Sequence, residues 1–370
     1  MGKIIVIINQ KGGVGKTTTA INLAASFGVL EKKTILIDAD PQGNTTSSFT
    51  INNKTIDFET LHLFNSKNNN IETATFHSTN NSNLTLIPTS IKLLNLELNR
   101  KNLKGTNFEL HQSLQELKKN YDYIIIDCGP SLNFITSSFL SNCDSVLIPI
   151  QCEFYAFIGL RELFKVIKTI REKYNPDIEI EGLLITMYDN RLLFSKHIIN
   201  EIKKTFGPFV FNSIIPRTIK ISEAQNHRKT LVEYDATCTA TNNYLSLASE
   251  IIEKKIAYMS KFKIDKNLHQ ILTENEDLNE TISFLENLAL TKSKGISKEY
   301  VENLHKLLGL NKKDVCFILG DAFNDKFSDV WMYRLQHKGI IQNKKYLYLY
   351  FENEKVISFE TTFFKKSEIK

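Results

Sequence analysis

Between an apolar run, KIIVII (3–8), and a helix-like stretch, TAINLAASFGVL (19–30), stands KGGVGKTT, Lys11 to Thr18. A strand, a glycine-rich turn and a helix start in that order make an anion site. Glycines let backbone N–H groups converge, and the helix dipole favours negative oxygens. In such a loop Lys16 reaches the β and γ phosphates of a nucleotide, and the Thr17 hydroxyl sits on Mg2+. The bland alternative, a glycine turn with incidental lysines, has little room beside so complete a match.

The pattern departs from G-x-x-x-x-G-K-[ST], because Gln10 stands where the first glycine belongs and Lys11 opens the loop. KGGVGKTT resembles the deviant Walker A of the ParA/MinD ATPase superfamily. The resemblance implies ATP and Mg2+ as cofactors, with Lys11, Gly12, Gly13, Val14, Gly15, Lys16, Thr17 and Thr18 lining the nucleotide. It further implies a homodimer bridged by ATP, in which Lys11 reaches across to the second nucleotide and Lys11 and Lys16 both serve catalysis.

A second apolar run, TILIDAD, ends in Asp38 and Asp40 and leads into PQGN, Pro41 to Asn44. Carboxylates at the C-terminal end of a parallel strand lie where doubly wound sheets bind ligands. A lone acid there is often only a helix cap. Two acids flanking a turn after this loop are more telling, and DADPQGN resembles the switch I segment of the ParA family. The resemblance assigns Asp40 to positioning the attacking water and Asp38 to the surrounding magnesium network.

YDYIIIDCGPSL, Tyr121 to Leu132, is a strand ending in Asp127, the Walker B position that holds Mg2+ through water. The family usually carries two prolines after this acid and one intervening residue. Here Gly129 precedes Pro130.

Further along, VLIPIQCEFYAFIGL, IEIEGLLITMYDNR and SIIPRTIKISEAQNHRKTLVEYD resemble Soj-type ParA proteins, the chromosomal branch of the family. That resemblance places Pro216 and Arg217 at the adenine and makes Arg191 and Lys220 DNA-binding positions without sequence preference. A solvated charged loop is the alternative for Arg191, Lys220, Arg228 and Lys229. Five apolar strands interleaved with helical stretches imply a mostly parallel sheet covered by helices on both faces, a deviant P-loop NTPase. Residues 47–83, rich in Asn, Ser and Thr, read as loop-heavy surface with one short helix in FETLHLF. A last helix from Thr239 closes a unit spanning residues 1–258.

At 370 residues the chain is long enough for a second domain. Residues 259–295 read as a polar linker with one helix. Residues 296–370 read as a small α+β domain. ISKEYVENLHKLLGLNKKDVCFILGDAF carries two helical patterns closed by Gly309 and Gly320, and SDVWMYRLQ, KYLYLYF and KVISFET read as a three-stranded antiparallel sheet with a hairpin at ENEK. This segment resembles the SmpA/OmlA (BamE-like) group. Those relatives are mostly exported, no signal peptide stands before this copy, and only the fold is carried over; docking of a partner follows by analogy.

Composition excludes several classes. No run approaches the roughly 18 apolar residues of a membrane span, and the N-terminus lacks a secretory pattern, so a cytoplasmic enzyme is expected. The five cysteines, Cys128, Cys143, Cys152, Cys238 and Cys316, show no C-x-x-C spacing. This disfavours disulfides, zinc and the iron–sulfur relatives of the superfamily. A net charge of +5 suits an anionic polymer but equally serves solubility.

The leading expectation is therefore an ATPase that partitions chromosome or plasmid DNA. An ATP-bound dimer would bind DNA nonspecifically on the nucleoid, and a ParB-type partner would stimulate slow hydrolysis and release. Two alternatives stand beside it: a MinD-like membrane-cycling ATPase, although no stable membrane association is expected, and a nucleotide-bound scaffold acting through the C-terminal domain.

Overall fold

The computed structural model describes residues 2–50, 58–65, 81–98, 106–152, 156–191, 193–258, 308, 330–335, 344–353 and 355–364. The chain begins β1 (Lys3–Ile7), α1 (Lys16–Val29), β2 (Thr34–Asp38), α2 (Asn44–Ser47), β3 (Leu84–Ile87), α3 (Leu94–Leu98), α4 (Thr106–Asn120) and β4 (Tyr123–Asp127). It continues α5 (Phe134–Leu140), β5 (Ser145–Gln151), α6 (Ala156–Lys173), β6 (Glu179–Tyr188), α7 (Leu193–Phe206) and β7 (Val210–Pro216). Then follow α8 (Ile219–Asn226), α9 (Leu231–Tyr234) and α10 (Thr239–Tyr258).

β1 to β7 form one parallel sheet of seven strands in the order β3-β2-β4-β1-β5-β6-β7. The sheet is thus wider than the five strands counted from apolar runs and has no antiparallel member, and helices flank it. β2 and β4 are buried at every position, as a strand covered on both faces must be. The chain runs from β1 outward through β2 on one side and returns to β5 on the other, so β1 is the switch point. Ligands of such sheets bind beyond the C-terminal ends of the strands at that point.

Aromatic packing pins the first helix to the sheet. Phe27 of α1 stacks on Tyr123 of β4 with ring centroids 3.9 Å apart and an interplanar angle of 5°. Burying a side chain of this size contributes about 1.5–3 kcal/mol. From α10, the Tyr244 hydroxyl meets that of Thr19 at 3.4 Å, and Lys254 lies over the Phe211 ring at 4.2 Å. At the other end of the strands, Lys118 pairs with Asp144 at 2.7 Å and so ties α4 to the start of β5, away from the switch point.

The chain divides into two compact units. One comprises Met1–Gln151, Gly159–Tyr188 and Phe206–Lys263; the other comprises Cys152–Ile158, Asp189–Thr205 and Ile264–Lys370. The second contains β8 (Val330–Leu335), β9 (Lys344–Glu352) and β10 (Lys355–Phe364), an antiparallel sheet in the order β10-β9-β8. Glu352 faces Lys355 across the hairpin, and Asn353 turns it at φ 49°, a left-handed conformation Asn tolerates better than most residues. Leu349, Phe351 and Val356 are buried. These strands match the expected three-stranded sheet. The expected linker over 259–295 and the two helices of the small domain lie outside the described residues. No described helix is long and apolar enough to cross a membrane.

Candidate nucleotide site

The P-loop connects β1 to α1 at the switch point. Gly13 and Gly15 have φ of 75° and 87°, values that favour glycine, and a Cβ on Gly12 or Gly13 would meet nothing within 4 Å. Gly12 and Gly13 are both exposed and face open space. The carbonyls of the loop are anchored: Lys16 Nζ donates to Lys11 O at 3.0 Å, Gln151 Nε2 to Gly13 O at 2.9 Å and Thr186 Oγ1 to Val14 O at 2.8 Å. Because the peptide is trans, a carbonyl held on one side directs the next N–H to the other, so the Val14 and Gly15 amides are oriented for an anion.

The N-terminus of α1 carries no side-chain cap, since its N-cap is Gly15. Three other helices do carry side-chain caps, Asn133 on α5, Thr218 on α8 and Thr230 with Glu233 on α9, whereas α2, behind Gly43, has none from its N-cap residue. The first-turn amides of α1 are thereby left to a ligand. Thr18 accepts a bond from Gln225 at 3.3 Å, which links this turn to α8.

Three carboxylates stand around the loop. Asp38 and Asp127 are register partners at the ends of β2 and β4, and both are fully buried. Asp38 has both oxygens engaged: Oδ2 accepts from the Thr46 backbone N–H at 2.7 Å and the Thr46 hydroxyl at 2.6 Å, and Oδ1 from the Asp40 N–H at 3.2 Å. Burial, then the charge of Asp127, pushes its carboxyl up to about 7. Asp127 Oδ2 accepts from the Thr45 hydroxyl at 2.7 Å, whereas Oδ1 is buried without a hydrogen bond. Burial raises Asp127 to about 6, and the Thr45 and Thr17 hydroxyls oppose that rise.

Asp40 is nearly buried and accepts the Gln42 N–H at 3.0 Å. Its carboxylate lies against Gly129, where an added Cβ would come within 3.2 Å of its carboxyl carbon. A side chain at Gly129 would therefore crowd the Asp40 carboxylate. Burial lowers the Lys16 ammonium, while Asp127 and Asp40 pull it back up.

An orphaned carboxylate oxygen beside a P-loop hydroxyl is a donor set for a hard divalent cation that takes oxygen ligands. Thr17 and Asp127 therefore fit Mg2+, and the open glycine cradle with Lys16 fits a triphosphate. Pro216 ends β7 opposite Tyr188, and the Arg217 N–H donates to Tyr188 O at 2.9 Å. Arg217 itself is exposed.

The two basic positions fall in different compact units. Arg191, with its side chain 83% exposed, pairs through two nitrogens with Asp189 at 2.8 and 2.6 Å. Lys220 lies 3.3 Å from Glu223, 3.8 Å from Asp235 and 5.6 Å from the centre of the Tyr234 ring. Such exposed pairs contribute little to stability.

Thr45, Thr46, Gln151 and Thr186 are contacts that the sequence motifs do not mark. Thr45, Gln151 and Thr186 lie 82, 138 and 172 positions from the groups they hold, and Thr46 lies 8 from Asp38; none of the four carries a signal of its own. Among the cysteines, Cys128 and Cys143 are buried and Cys152 and Cys238 are half-buried, none in a disulfide. Burial pushes the Cys128 thiol well above the usual thiol range, away from the thiolate form.

A family model described as an AAA domain matches residues 2–180. Soj, the sporulation initiation inhibitor protein of Bacillus subtilis (strain 168), is 40% identical over 251 residues, covering 68% of this chain and 98% of Soj. The chromosome partitioning protein ParA of Myxococcus xanthus (strain DK1622) is 40% identical over 257 residues, covering 69% and 89%. The chain belongs to the ParA/Soj family of partitioning ATPases.

Two solved structures extend the comparison. A Borrelia burgdorferi B31 protein assigned to plasmid partition, bound to AMPPNP, is 29% identical with a TM-score of 0.57, covering 69% of this chain and all of that one. Cobyrinic acid a,c-diamide synthase from Mycobacterium smegmatis, with bound ADP and magnesium, is 25% identical with a TM-score of 0.59, covering 70% and 97%. A second family model, for 4Fe-4S iron sulfur cluster binding proteins of the NifH/frxC family, matches residues 106–278 of the ParA/Soj-family chain. Among the described residues no group of three or more His, Cys, Asp or Glu could hold a metal ion.

Proposed function

We propose that this ParA/Soj-family chain is a Mg2+-dependent ATPase that partitions chromosome or plasmid DNA, working in the cytoplasm on the nucleoid. The observation that carries this reading is the meeting, at one end of the sheet, of Lys16 and Thr17 with Asp40 and an Asp127 oxygen that lacks a partner. The P-loop amides and Lys16 bind the phosphates, with Pro216 and Arg217 beside the base. Thr17 and Asp127 hold Mg2+, which when bound neutralises charge on the transferring phosphoryl group. Asp40 orients the attacking water, and Asp38 fixes the backbone of Asp40 and the start of the next helix. Lys11 of each subunit reaches the nucleotide of the other, so ATP bridges two copies.

Hydrolysis is intrinsically slow and is stimulated by a ParB-type partner. A charge supplied in trans accelerates phosphoryl transfer by roughly 10³ to 10⁵. Residues 1–258 carry this cycle, and residues 296–370 form a docking module joined through residues 259–295.

DNA binding follows from nucleotide state. Each phosphate contact contributes a salt-dependent increment, and pairing two subunits doubles the number of contacts. Arg191 and Lys220 supply them by exchanging their present acidic partners for phosphates. Reversing both charges (Arg191→Glu with Lys220→Glu) is expected to lower ATP-dependent retention on nonspecific duplex DNA by about tenfold or more at moderate salt. ATPase turnover without DNA should not change. Unaltered retention would defeat the assignment of these two residues.

A further inference from the structure

Thr45 lies in the short helix α2, just beyond Asp40, and is fully buried. Its hydroxyl donates to Asp127 Oδ2 at 2.7 Å across 82 positions of sequence. The adjacent Thr46 makes the corresponding bond to Asp38 Oδ2 at 2.6 Å. Two consecutive threonines thus tie the segment that follows Asp40 to the ends of β2 and β4, where Asp38 and Asp127 face each other in register.

The two bonds have different consequences. Asp38 is left with both oxygens engaged, whereas Asp127 keeps one, Oδ1, buried and unpartnered. A carboxylate can exchange its oxygens by rotating about its last side-chain bond. A donor fixed on one of them stops that exchange and aims the other.

We propose that Thr45 is a positioning residue for Mg2+: its hydroxyl locks the Asp127 carboxylate so that Oδ1 faces the cation. It also makes the Asp40 segment part of the cation site. The proposal rests on the reading of Asp127 as the acid that holds Mg2+. Groups that orient a metal-holding side chain typically change metal affinity by about 10- to 100-fold when removed.

The test uses the full chain with ADP bound and Mn2+ as the probe, titrated by the loss of its electron paramagnetic resonance signal on binding. Thr45→Val removes the donor at nearly constant shape; Thr45→Ala is the second variant should the first not fold. Either is expected to weaken Mn2+ binding by about 10- to 100-fold, and Thr45→Ser to restore it. ADP affinity in EDTA should stay at the wild-type value, because phosphate binding by the P-loop does not pass through Thr45.

Unchanged Mn2+ affinity in the valine or alanine variant would overturn the proposal. So would an equal loss of ADP affinity in EDTA, which would mark a general collapse of the site. Asp127→Asn, measured alongside, separates the two levels. If it weakens Mn2+ while Thr45→Val does not, only the role of Thr45 fails. If neither variant weakens Mn2+, the reading of Asp127 fails.

Discussion

Lys16→Ala is expected to lower kcat/KM for ATP by about 10²- to 10³-fold or more, the scale of losing a charge that stabilises a transferring phosphoryl group. The structure gives two reasons for so large an effect. Lys16 is buried and its ammonium bridges back to the Lys11 carbonyl, so it fixes the loop as well as facing the phosphates. It also offsets the charges of Asp127 and Asp40, and its removal leaves an acidic site that repels a triphosphate. Fluorescent-nucleotide titration and phosphate release read this directly. Retention of a tenth of wild-type turnover would be incompatible with Lys16 in this place.

Asp40→Ala should produce a different loss. A group that positions the attacking water contributes about 10²- to 10⁴-fold to the chemical step, so kcat should fall by that order while ATP affinity is kept. The substitution also removes one turn hydrogen bond, to the Gln42 N–H, at a cost of about 1 kcal/mol, which the core can absorb. Turnover stops while nucleotide stays bound, so the variant is expected to accumulate on DNA in the presence of ATP and Mg2+. Rapid-quench turnover together with a DNA pull-down measures both halves. Normal hydrolysis by Asp40→Ala would remove Asp40 from the reaction.

Much of this architecture is legible in the chain because its signals are local. KGGVGKTT contains the glycines its own backbone requires, and the apolar runs before Asp38 and Asp127 mark buried parallel strands by their continuity. The same locality explains what is not legible. The bonds from Gln151 and Thr186 to the P-loop span 138 and 172 positions, and nothing near either residue announces them. Thr45 and Thr46 read as ordinary polar residues after a turn until the strand ends are brought into register. The edge strands are harder to count than the central ones: β3 is only four residues long, and exposed Asn212 interrupts the buried pattern of β7. Asp38 looks from its motif like a partner in the magnesium network, and the fold adds what the motif does not show: Thr46 and the Asp40 amide donate hydrogen bonds to its two oxygens. In the C-terminal part, the alternation of KYLYLYF and KVISFET sufficed for the hairpin because its pairing is between neighbours in sequence.

The claim on which the rest depends is that nucleotide joins two copies of the chain. Light scattering coupled to size-exclusion chromatography, run on the full chain with AMPPNP and Mg2+ and again with ADP, tests it most directly. The account predicts a species of twice the monomer mass with AMPPNP, and a monomer with ADP. A monomer under both conditions, at concentrations where AMPPNP is shown to be bound, would contradict it.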